Sequence, residues 1–186
     1  MEQQLITLVV AVLAVLNPIG NAAIYVGMVG GRTVPQQHKV AFVTSIAVAI
    51  ILIITVWVGV AMLNFFGISM GAFQVAGGLI VCLIGLSMLK GHTHTHNLDT
   101  PSEVSKVEKQ SIAVVPLAIP IIAGPGAMTA LISHMKDLNS IQDKLLISVL
   151  MITLAVVIYI VLLFAPKIAR ILGEYGMQIV TRVMGL

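Results

Sequence analysis

Charged side chains are what this sequence has least of. Asp, Glu, Lys and Arg make up 9% of its 186 residues, against about 25% in soluble domains. None of them interrupts residues 3–31, 40–89, 110–133 or 145–166. A soluble globular domain is excluded on that ground. Cys82 is the sole cysteine, so no intramolecular disulfide forms. Within an apolar stretch it reads as a small packing residue. No Lys or Arg precedes Arg32, so the basic leader of a signal peptide is missing and the first apolar run is expected to be retained. No G-x-x-x-x-G-K loop occurs, which argues against direct nucleotide use. No Ser/His/Asp or paired-carboxylate arrangement is placed for chemistry. The expectation is a protein that is not an enzyme and needs no cofactor.

What is present is long apolar sequence. The chain is 59% hydrophobic, with a mean hydropathy of +1.08. A bilayer crossing needs about 20 apolar residues. Residues 40–89 are too long for one crossing, and the polar, glycine-containing stretch 64–71 divides them. Five spans follow, at 4–29, 40–63, 70–89, 111–133 and 145–165, and the lipid bilayer is the implied partner. The net charge of +3 matters less than where the charges lie, and gives no nucleic-acid reading. Arg32 and Lys39 flank the first loop. Lys90, Lys106 and Lys109 belong to the third, and Lys167, Arg170 and Arg182 follow span five. Lys136 and Lys144 alone fall on the other side. The positive-inside bias puts the N-terminus outside and the odd loops in the cytoplasm.

The third loop, 91–109, is polar and reads as a flexible linker. His92, His94 and His96 alternate in it with threonines. In an extended chain they share a face and are candidate ligands for Zn or Ni. The competing reading is a solvated linker with no metal.

Two spans are interrupted. Asn17-Pro18-Ile19-Gly20-Asn21 lies in the middle of the first. Pro18 removes a backbone donor and clashes with the preceding turn, and the asparagine amides can replace lost backbone bonds or contact a ligand. The second interruption runs from Pro116 through Pro120 to Gly124-Pro125-Gly126. Irregular backbone at membrane depth is tolerated where protein buries it or water reaches it. Pro125 follows Pro18 by 107 positions, and Gly185 follows Gly78 by the same 107. The fold class expected is therefore all-α, a polytopic membrane protein built as an inverted repeat of three plus three transmembrane helices. Residues 1–90 form the first repeat, 91–109 the cytoplasmic linker and 110–186 the second repeat. On this mapping a sixth helix is cut short at Leu186, needing roughly 10 to 15 more apolar residues.

The motifs Asn17-Pro18-Ile19-Gly20-Asn21, Phe73-Gln74-Val75-Ala76-Gly77-Gly78, Val115-Pro116-Leu117-Ala118-Ile119-Pro120 with Ala123-Gly124-Pro125-Gly126, and Thr181-Arg182-Val183-Met184-Gly185-Leu186 resemble the MarC family. It is also called the neutral amino acid transporter (NAAT) family. The resemblance implies a six-span protein of the bacterial or archaeal inner (plasma) membrane, some of whose relatives carry glycine, alanine or serine. The C-terminus departs from it, since family members continue through a sixth helix.

A broken helix offers N–H groups at one end and carbonyls at the other. A zwitterionic amino acid needs both. N–H groups around Gly20–Ala22 and Gly126–Met128 suit its carboxylate, and carbonyls around Leu16 and Ile122 its ammonium. Asn17, Pro18, Gly20, Asn21, Gly124, Pro125 and Gly126 are thus the candidate substrate-binding residues for a small polar solute. The alternatives are packing kinks, which Pro and Gly often make in membrane helices, and a non-transporting structural or regulatory protein. Gly78 with Gly85, Gly27 with Gly31 and Gly67 with Gly71 have spacings that let helices approach, and a homo-oligomer stays open. Gln74, Thr44, Ser45, Thr129 and Ser133 line a path or bond a carbonyl one turn earlier. No charged residue lies at the centre of a span, so proton coupling would need a group near a span end, such as His134 or Glu174, or a bound water.

The orientation is testable. In a Cys82→Ser background, a cysteine at Ser102 should react with an impermeant maleimide only from the cytoplasmic side. One at Ser69 should react only from outside. The reverse pattern would invert the topology.

Overall fold

The computed structural model describes residues 2–89, 122–135 and 140–184. Among them the regular elements are all helices: α1 (Glu2–Leu16), α2 (Pro18–Val29), α3 (Val34–Phe65), α4 (Met70–Leu89), α5 (Pro125–Met135) and α6 (Ile141–Met184). Among the described residues four stretches are long and apolar enough to cross a membrane: Leu5–Val29, Val34–Phe65, Met70–Leu89 and Ile141–Gly173. The span expected at 111–133 is described only from residue 122. The chain is a polytopic membrane protein. Its outward faces carry Ile6, Ile50, Val58, Leu145, Val149 and Val156, which suit lipid and not water.

Helix ends have local causes. α3 starts well before the expected residue 40 because loop one can cap it. The Gln36 side chain accepts from the Thr33 N–H at 3.2 Å, and Pro35 sits in the first turn, where its missing N–H costs nothing. Gln37 then ties the loop down. Its Nε2 donates to the Arg32 carbonyl at 3.1 Å, and its own carbonyl accepts from the Tyr25 hydroxyl at 2.7 Å. Two residues past the end of α3 stands Gly67, whose φ of 66° is left-handed. There Ile68 N–H reaches the Leu63 carbonyl (2.9 Å) and Gly67 N–H reaches that of Asn64 (3.1 Å). This paired closure satisfies carbonyls that the helix end exposes. Ser69 accepts from Ala72 N–H at 3.2 Å and starts α4. Ser140 does the same for Gln142 at the start of α6, also at 3.2 Å. Gly173, again with φ 66°, interrupts α6.

These junctions recur along the chain. Pro125 opens α5 as Pro18 opens α2, and Ser140 precedes α6 as Thr33 precedes α3, each 107 positions on. Gly173 follows Gly67 by 106.

The core is one cluster. Leu8, Val12 and Leu16 recur every four residues on α1 and are fully buried, as is Leu52 of α3. Tyr25, Val48, Leu131, Ile147, Met151 and Ile158 join them. α6 packs on both α3 and α2, while α5 packs on α4, α3 and α1. α3 and α6 are antiparallel. Trp57 Nε1 donates to Ser148 Oγ at 3.1 Å, and Phe42 meets Tyr159 edge-on at 5.9 Å. α4 and α5 are antiparallel too, with Gln74 Nε2 donating to Ser133 Oγ at 2.6 Å and Gly77 lying against Thr129.

The glycine expectations need correcting. Gly31 and Gly67 have left-handed φ and belong to chain reversals. Nothing lies within 4 Å of a Cβ placed on Gly27, Gly31, Gly67, Gly71 or Gly78, so none of these makes a close helix contact among the described residues. The close approach is at Gly77, where a Cβ would run into the Thr129 side chain. Gly77→Val should therefore destabilise the fold by about 1–3 kcal/mol through overpacking, while Gly78→Val should be near neutral. Thermal unfolding of the two variants in detergent compares them directly.

Candidate functional site

The first break is built by four residues. Asn17 closes α1 by donating its N–H to the Leu13 carbonyl at 3.0 Å. It then turns left-handed, with φ 40° and ψ 65°. Asn is the non-glycine residue that accepts this conformation most readily. Pro18 follows as the first residue of α2, with its φ already helical. Asn17 Oδ1 caps that helix by accepting from Gly20 N–H at 3.0 Å. A side chain at Gly20 would have to displace its neighbours: its Cβ would stand 2.5 Å from Asn17 Nδ2 and 2.6 Å from Met88 Cε. Asn21, 6% exposed, turns back and donates Nδ2 to the Leu16 carbonyl at 2.6 Å. Its own N–H bonds the Asn17 carbonyl at 3.0 Å.

This amends the expected ligand groups. The N–H groups of Gly20 and Asn21 are already engaged, and the Leu16 carbonyl accepts from within the chain. Among the described residues the acceptor facing Asn17 Nδ2 is a thioether, Met88 Sδ at 3.8 Å. Pro18 has no N–H, so the Ala14 carbonyl loses its intrahelical donor.

At the second break Ile122, Ala123 and Gly124 are buried, and α5 starts at Pro125. Met128 N–H reaches the Gly124 carbonyl at 3.2 Å, and Thr129 Oγ1 donates to the Pro125 carbonyl at 2.7 Å. The Thr129 hydroxyl thus does what polar groups in membrane helices commonly do and bonds one turn back. The first-turn N–H groups of Gly126 and Ala127 have no intrahelical acceptors. Both broken segments present the positive end of a half-helix, and neither carries a charged side chain.

The two segments lie close together. A Cβ on Gly126 would stand 3.0 Å from Val15 Cγ1, two residues before the first break, and would strike Val81 of α4. Asn17 and Gly20 of the first break and Gly126 of the second thus share one face of α4, and Gly126 also lies beside Val15. That face carries Gln74, Gly77, Val81 and Met88, at helical spacing. Val81 and Met88 were not among the residues expected at the site, although their spacing from Gln74 and Gly77 is a visible signal. His92, His94 and His96 lie outside the described residues. On α3 Ser45 is 6% exposed, and its hydroxyl has no partner among the described residues. His134 sits near the other end of α5 with Nδ1 2.9 Å from the Ala130 carbonyl.

The asparagines make separable contributions. Asn21→Ala leaves a buried carbonyl unpaired and should lower stability by about 1–3 kcal/mol. Asn17→Gly keeps the left-handed turn and should cost only roughly a few tenths of a kcal/mol as a cap. Asn17→Ala adds about 1–2 kcal/mol of backbone strain to the lost cap. Equal melting temperatures for the two Asn17 variants would refute the strain assignment.

Comparison with known proteins agrees with this architecture. The profile of the MarC family, described as integral membrane proteins, matches residues 2–186. A UPF0056 membrane protein of Buchnera aphidicola subsp. Acyrthosiphon pisum is 35% identical over 93% of this chain and 80% of its own. A UPF0056 membrane protein of Pyrococcus abyssi is 34% identical over 96% of this chain and 85% of its own. The UPF0056 inner membrane protein MarC of Salmonella paratyphi B is 29% identical over 95% and 84%. No solved structure matches. With the family profile covering nearly every residue and bacterial and archaeal relatives aligned along most of their length, this chain belongs to the MarC family of integral membrane proteins.

Proposed function

We propose that this protein is a secondary transporter of small neutral amino acids, or of similar small polar metabolites, across the inner membrane. The observation that carries the proposal is the meeting of two proline-opened half-helices, α2 and α5, at Val15 and Gly126. Broken helices at the interface of inverted repeats are where secondary transporters hold their solutes. Support for such a repeat comes from the common spacing of the junctions and from the opposed directions of α3 and α6. Two positive helix ends, in segments that contain no charged residue, suit a solute carboxylate. Gly20 and Gly126 keep the lining small. The loop charges support an outside N-terminus.

One observation favours a second reading. Asn17 and Asn21 satisfy much of the first break from within, as they would in a structural kink of a non-transporting protein.

Purified protein in liposomes, offered labelled glycine, alanine and serine, separates the two. Transport predicts saturable uptake that Gly126→Leu abolishes while the protein remains folded by size-exclusion chromatography. Flux no greater than in protein-free vesicles for all three solutes would favour the structural reading.

A further inference from the structure

α4 delivers one side chain to each break. Val81 covers Gly126 and, two turns on along the same face, Met88 covers Gly20. The two differ in kind. Valine is β-branched and stiff about χ1, whereas methionine is unbranched, has several rotatable bonds and adapts to irregular space. Met88 is one of two buried residues in α4, the other being Gly77. Its Sδ lies 3.8 Å from Asn17 Nδ2, and a thioether is a weak acceptor. The amide oxygen of Asn17 is already committed to Gly20 N–H. Among the described residues its amino group therefore faces a weak acceptor, at the positive end of α2. A carboxylate oxygen would bind there more strongly.

We propose that Met88 is the residue that sets which solutes this protein accepts. Its thioether fills the place beside Asn17 and Gly20 when the site is empty, and swings aside to admit a carboxylate. In its displaced position the Met88 methyl bounds the space left for the solute's own side chain, which limits it to a small one. This inference rests on the transporter reading, and its test is arranged so that the two fail separately.

The measurement is uptake of labelled alanine into liposomes, competed by unlabelled glycine, alanine, valine and leucine. In the wild-type protein glycine should compete well and leucine poorly. Met88→Ala should strengthen leucine relative to glycine by about tenfold or more, as expected for space opened in an apolar pocket. Leu79→Ala, at an exposed position on the other side of α4, should leave the ratio unchanged. Intact alanine uptake with an unaltered leucine-to-glycine ratio in Met88→Ala overturns the role of Met88 and leaves the transporter standing. No alanine uptake by the wild type removes both. If Met88→Ala is not recovered folded, Met88→Cys in a Cys82→Ser background gives a second measurement. Its modification by a small methanethiosulfonate reagent should slow several-fold in the presence of alanine, and equal rates with and without alanine overturn the proposal.

Discussion

Peptide groups inside a bilayer cannot borrow hydrogen bonds from water, and an unpaired one costs several kcal/mol. That constraint governs the first span. A chain that stops and restarts a helix at Asn17 has to answer for each donor and acceptor it exposes. The five-residue motif answers most of them itself. Asn17 accepts from the new helix, Asn21 donates to the old one, Pro18 has no donor to place, and Gly20 leaves room for the Asn17 amide. Among the described residues Asn17 Nδ2 is left with a weak acceptor, the Met88 thioether of α4.

The surrounding helices hold the two broken segments in register. α3 and α6 run antiparallel and are pinned by the Trp57–Ser148 bond and by Phe42 against Tyr159. Each half-helix leans on one of them, α2 on α6 and α5 on α3. At the α5–α3 contact Gly59 admits Ile132, whose Cγ1 would be 2.6 Å from an added Cβ. α4 has most of its surface outside the core, yet touches both segments.

Much of this was legible in the sequence. Charge-free runs located the spans, because burial of ionic groups in lipid is so costly that their absence is itself a signal. The expected 70–89 coincides with α4. The expected 4–29 agrees with Leu5–Val29, but the starts expected at 40 and 145 were drawn just after a charge. α3 and α6 overrun them because Thr33 and Ser140 stand further out and decide where each helix begins. The break at Asn17 was readable from proline chemistry. Which groups it leaves free was not, since that depends on the asparagine side chains folding back. The α4 contacts were harder still. Gly77 and Gly78 are equivalent as letters, and only the rotation of α4 about its axis makes one a contact and the other a surface. The histidines of 92–96 fall outside the described residues.

The short corner between α3 and α4 has a mechanical consequence. Its crossed hydrogen bonds to Leu63 and Asn64 and its serine cap make it a fulcrum and α4 a lever. With a rise of about 1.5 Å per residue, Met88 stands roughly 27 Å from that pivot, Val81 roughly 16 Å and Gln74 roughly 6 Å. A rotation of about 5° would carry the far end some ~2 Å, the middle about half as far and the near end hardly at all. Displacements along α4 are thus graded, and the largest falls at the end that rests on Asn17.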